Sequence, residues 1–144
     1  MASFNKFNQF VADLASGVHQ LQTGTTHVLK VALTNTAPTS ANAVLADITQ
    51  VANGNGYTTG GISVGTITGA QTSGTFKLTG GTDPVWTASG AGFTARYAVI
   101  YNDTPTSPAK PLIGWWDYGS SVTLAAGETF TVDLDQTNGI LTLA

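Results

Sequence analysis

The chain has 144 residues, room for one domain with one core. Hydrophobic residues make up 42% of it but charged ones only 9%, against about 25% in an average soluble protein, so Thr, Ser, Asn, Gln, Gly and Ala must supply the surface. Five cations (Lys6, Lys30, Lys77, Arg96 and Lys110), scattered within a net charge of -3, exclude a phosphate-neutralising stripe and thus nucleic-acid binding, and the lack of cysteine excludes disulfides, thiolate nucleophiles and zinc–thiolate sites.

Low charge leaves little repulsion between copies, so a domain of this composition tends to associate. The first residues lack the basic segment and apolar core of a signal peptide, and no apolar run reaches membrane-spanning length. The expectation is a protein made and kept soluble in a cytoplasm, with no membrane partner.

At the start, Phe4, Phe7, Val11, Leu14 and Val18 fall on one helix face, flanked by Phe10 and Ala15. With Ser3 as N-cap and Gly17 as stop, this predicts an amphipathic helix over residues 3–17, packed on the sheet or exchanged with a neighbouring subunit. Residues 27–34 alternate as a first strand, with Leu29, Val31 and Leu33 inward and Lys30 and Thr34 outward. His27 reads as a partly buried rim residue, because no second His, Cys or acidic cluster stands at metal spacing.

Residues 43–48 fit either a helical turn or a strand. The glycine-rich stretch 51–61, which contains Asn53, Asn55 and Tyr57, reads as an exposed loop. No lysine follows at phosphate-loop spacing and no strand–loop–helix frame surrounds it. From Ile62 onward short strands alternate with turns: 62–67, 75–79 after a turn at 71–74, and 85–88 after Pro84.

The last fifty residues predict an antiparallel meander of runs 94–102, 112–118, 122–124 with 129–135, and 140–143. The breaks fall at Pro105, Pro108 and Pro111, at Gly119 and Gly127, and at an Asn138-Gly139 hairpin. Residues 96–101 are apolar on nearly both faces, as in a central strand covered on each side. Alternation places Trp115 and Trp116 on opposite faces, so at most one belongs to the main core. The predicted fold is all-β, an antiparallel β-sandwich or jelly-roll-like barrel of about eight to ten strands over residues 27–144, with the helix in front.

Residue chemistry alone offers weak functional sets. Trp86, Trp115, Trp116, Tyr97, Tyr101 and Tyr118, with Asp117 as a hydroxyl acceptor, could form the stacking platform of a carbohydrate-binding module. Asp117 with Asp133 or Asp135, or Ser120 with His27 and Asp103, could be assembled into hydrolase sets, and Asp133 with Asp135 into a calcium site, but no motif supports them. The expectation is no enzyme, no metal and no cofactor.

Three stretches resemble a group of small virion proteins of tailed bacteriophages and prophages. They are residues 4–11 (FNKFNQFV), residues 30–38 (KVALTNTAP) with Ala46-Asp47-Ile48, and residues 97–103 (YAVIYND) with 112–119 (LIGWWDYG). The resemblance implies a capsid decoration or cement protein on the outer head surface, assembled in the host bacterial cytoplasm. Its implied partners are the major capsid protein and itself, as a homodimer or homotrimer. A tail or head–tail connector protein is the alternative within the virion. From exposure and irregularity, the expected contact residues are Phe4, Phe7 and Phe10, then Asn53, Asn55 and Tyr57, then Pro105 and Pro108, and Trp116.

Overall fold

The run of apolar residues around Val99 and Ile100 lies in the middle of the largest sheet, where neighbours on both sides and cover on both faces account for its lack of alternation. The computed structural model describes residues 2–144. In chain order the elements are β1 (Phe4–Lys6), α1 (Asn8–Ala15), β2 (Leu29–Thr34), a 3-10 turn (Leu45–Asp47), β3 (Ile62–Ser63), β4 (Thr68–Thr72), β5 (Thr75–Thr79), β6 (Val85–Thr87), β7 (Phe93–Asn102), β8 (Leu112–Leu124), β9 (Thr129–Thr131) and β10 (Leu141–Leu143). The protein is mostly β, and its paired strands are antiparallel.

One sheet has the order β1-β8-β7-β2-β3, a second β10-β5-β4, and a third pairs β6 with β9. The main core lies on one face of the five-stranded sheet. Leu29, Val31, Leu33, Ile100 and Ile113 meet Leu78, Trp86, Phe130, Leu134 and Ile140 there. A smaller cluster covers the reverse face, where Phe7, Leu45 and Ile48 pack on Ala32, Val99, Tyr101 and Leu112, with Trp115 at its border.

The N-terminal segment departs from the expected helix over 3–17. Phe4–Lys6 is a strand paired with Gly114–Trp116 of β8, and α1 begins only at Asn8. The physical reason is that Phe4 and Phe7 serve opposite faces of the sheet. A separation of three residues achieves that in extended chain, whereas in a helix it would put both rings on one side. Phe4 stands edge-on to Trp116 at 5.3 Å, on the main-core side, while Phe7 packs against Trp115 at 4.5 Å on the reverse side. Val11, assigned to the buried stripe by periodicity, is 50% exposed. Gly17 ends the helix as expected: at φ +81° it lets its own N–H reach Leu14 O and the Val18 N–H reach Asp13 O.

The predicted meander holds only for its first pair. β7 and β8 form a hairpin, but β9 pairs with β6 and β10 with β5, so the chain leaves the large sheet after Leu124. Asn138-Gly139 therefore does not close a hairpin. It belongs to a turn capped by Asp135, which accepts the Thr137 and Asn138 N–H groups. Gly119 does not break β8. It lies inside a continuous strand, at a bulge where residues 118–121 face Arg96 alone.

That bulge also reverses the phase of β7. Before it Phe93 and Ala95 face the main core, and after it Ala98 and Ile100 do. Gly114 marks the tightest contact of β1, because a Cβ there would lie 2.2 Å from the Phe4 ring and 2.6 Å from Asn5 O. Gly114→Ala is expected to push β1 off β8, lowering stability by about 1–3 kcal/mol. Hydrogen exchange should then show faster exchange at Asn5 and Phe7, while the β7 amides stay protected.

Candidate functional site

The residues expected at a contact surface divide into core and surface. Phe7, Phe10 and Tyr57 are buried at 0–1% exposure and so are not available as an exposed contact. Phe7 closes the reverse face and Phe10 joins the main core. Tyr57 anchors the glycine-rich loop from inside: its hydroxyl donates to Gln50 Oε1 at 2.8 Å and accepts the Leu33 N–H at 3.2 Å. Burial pushes its phenol up to about 12.

Phe4 and Trp116 are half-buried against each other, while Asn53, Asn55 and Pro108 are exposed and Pro105 is half-buried. Asn53 Oδ1 accepts the Thr59 N–H within the loop, and Asn55 O accepts the Ser89 N–H, tying the loop to the turn before β7. Pro105 and Pro108 sit in the β7–β8 connection, which is closed by the Lys110 N–H donating to Pro105 O. These loci do not form one surface. β1 is at one edge of the large sheet, and β3, into which the glycine-rich loop leads, is at the other.

What the fold does assemble is an apolar groove of about 610 Å³ beside β1. Phe4, Phe10, Val11, Leu14, Leu141 and Leu143 line it, and Lys6 stands among them. It joins the outer edge of the five-stranded sheet, α1 and the edge strand β10. Val11 was legible as an apolar position, but its outward direction followed only from the late start of the helix.

The set of Ser120, His27 and Asp103 weighed from sequence is not brought together. His27 and Asp103 flank the end of β7 at Asn102, whereas Ser120 lies in the bulge opposite Arg96, six residues back along the strand, or roughly 20 Å. Asp103 is paired with Lys30 at 2.7 Å and Lys110 at 3.3 Å. Asp117 receives Arg96 through two hydrogen bonds at 2.9 and 3.0 Å, and the Arg96 guanidinium holds its carboxyl below the usual range. Asp133 accepts the Asp135 N–H, and Asp135 caps its own turn. Among the described residues no three His, Cys, Asp or Glu side chains are placed to hold a metal ion, and no helix is long and apolar enough to cross a membrane.

One polar cluster went unforeseen. Asn102, fully buried at the end of β7, points its Nδ2 at His27 Nδ1 (2.8 Å) and His19 Nδ1 (3.3 Å). Buried Asp13, held by Gln9 Nε2 at 2.9 Å, faces the same histidine from α1. The amide N–H₂ group can only donate, so the ring nitrogens facing it serve as acceptors. Burial lowers His19 to about 4, Asp13 acts upward and His27 downward. No sequence motif links residues 13, 19, 27 and 102, since they meet only after β2 and β7 pair.

No protein-family model, curated protein or solved structure matches the chain.

Because the folded value of His19 lies below its ordinary 6.5, the unfolded chain takes up the proton first. The contribution of neutral His19 is complete above pH 6.5 and is lost as pH falls toward 4, by at most about 3 kcal/mol. Urea unfolding at steps across that window should show a falling midpoint, and His19→Gln should flatten the slope.

Proposed function

We propose that this chain is a structural protein of a tailed-phage virion: a capsid decoration, or cement, protein. In this reading it binds the major capsid protein on the outside of the head, associates with copies of itself, and bridges adjacent subunits so that a filled shell resists bursting. The observation that carries the reading is the open apolar groove beside β1, in a chain of which only 9% of the residues are charged. An apolar recess at a sheet edge suits contact with a neighbour, and β1, three residues long, is too short to promote open-ended strand pairing.

Each Å² of apolar surface covered there contributes about 25 cal/mol, and a standard interface of ~1,600 Å² has gross driving force beyond the cost of association. On a lattice, contacts between neighbours add to contacts with the shell, so occupancy becomes cooperative. The resemblance of residues 4–11, of 30–38 with 46–48, and of 97–103 with 112–119 to phage virion proteins supports the same reading. So does the arrangement of a five-stranded sheet with smaller sheets across its main-core face, which we read as a β-sandwich.

The contact cannot be tested by removing the N-terminal segment, because Phe7 and Phe10 belong to the core. Val11→Asp places a charge in the groove at an already exposed position. Its stability should stay within about 0.5 kcal/mol of wild type, while occupancy on purified particles falls. Quantitative mass spectrometry of those particles should give a fixed, lattice-matched ratio to the major capsid protein, with hundreds of copies. Absence from particles, or a ring-sized handful of copies, would contradict the decoration role.

A further inference from the structure

The bulge of β8 holds an aromatic side chain in solvent, and it does so on a braced backbone. Residues 118–121 stand opposite Arg96, with Gly119 at φ +101° making the turn. Asp117 fixes the corner, its Oδ1 accepting the Gly119 N–H at 2.8 Å and both oxygens accepting Arg96. Ser121 Oγ donates to Asn35 Oδ1 at 2.8 Å from the other end. The outcome is Tyr118 at 62% exposure, its ring 5.9 Å from buried Phe130. Trp116, two residues earlier in the strand, lies on the same side, half-buried.

These rings border a recess of about 180 Å³ that Arg96, Thr131 and Asp133 complete with polar groups. A second recess of about 120 Å³, reaching to Asp135, shares Ala2, Trp116 and Asp133 with the first. Both are smaller than the ~300–1,000 Å³ that a compact drug-sized ligand fills. Two adjoining ring-sized hollows with a common tryptophan wall suit a chain of small rings. Aromatic faces beside carboxylate and hydroxyl groups match a ring with apolar C–H faces and a hydroxyl rim. The charge selects further: Asp133 and Asp135 are acidic, and Arg96 is already paired with Asp117.

From this geometry we infer that the Trp116–Tyr118–Phe130 recess is a binding site for neutral oligosaccharides built of pyranose units. The structure narrows the platform considered from sequence, because Trp86, Tyr97 and Tyr101 are buried and Trp115 lies on the reverse face. The inference does not rest on the virion reading, since a glycan site would serve a free module equally.

The test is titration of the full chain with neutral hexose and N-acetylhexosamine hexasaccharides (maltohexaose, cellohexaose and chitohexaose), followed by tryptophan fluorescence and backbone amide shifts. The expected result is saturable binding to at least one, with shifts centred on residues 116–118 and 130–135. Tyr118→Ala, which removes a largely exposed ring and should still unfold cooperatively, is expected to weaken it about tenfold. No saturable binding at millimolar sugar, binding indifferent to Tyr118→Ala, or tighter binding of a sulfated hexasaccharide would each overturn the assignment.

Discussion

The structure depends on one constraint: β7 is buried on both faces. From Tyr97 to Asn102 every residue is buried, with β2 and β8 satisfying the backbone at either side. A strand of this kind cannot stand in a sheet with a solvated face, so the rest of the chain must supply two covers. The smaller sheets, with Trp86, Leu78 and Phe130, form the first. Phe7 and the turn carrying Leu45 and Ile48 form the second. The N-terminal segment threads past the edge of β8 and feeds both, sending Phe7 to one face and Phe10 to the other.

This arrangement explains what could be read from the sequence. The mostly β, antiparallel character, the pairing of β7 with β8, the central place of β7, the opposite directions of Trp115 and Trp116 and the helix stop at Gly17 all followed from local pattern. Each depends on alternation or turn chemistry within a few residues. What failed depended on distant partners. Phe4, Phe7 and Phe10 are spaced for a helix, and only the pairing of β1 with β8 draws the first of them into a strand. The strands after Leu124 look like the next members of a meander, yet their partners are β6 and β5, some forty-five to sixty-five residues back. The bulge at Arg96 reverses the inward parity of β7, which no count of alternating residues would reveal.

The candidate surfaces were legible in composition more than in place. A weakly charged surface pointed to association, but exposure could not be inferred for aromatic residues. Tyr57 lies in a glycine-rich loop and is nevertheless an internal anchor, with its hydroxyl shared between Gln50 and Leu33. Tyr118 sits in a strand and is nevertheless exposed, because the Asp117–Gly119 corner lifts it outward. The Asn102 cluster shows the same limit from the polar side, since it exists only where the α1–β2 connection crosses the end of β7.

In the proposed function the chain packs against copies of itself and a symmetrical shell through the edge where β1, α1 and β10 meet. A cryo-electron reconstruction of the purified particle is the decisive measurement. Density for this fold is expected to repeat over the outer head surface, with Val11, Leu14 and Leu143 covered by a neighbouring chain. Heads that lack that density, or copies whose β1 edge faces open solvent while another surface makes every contact, would contradict it.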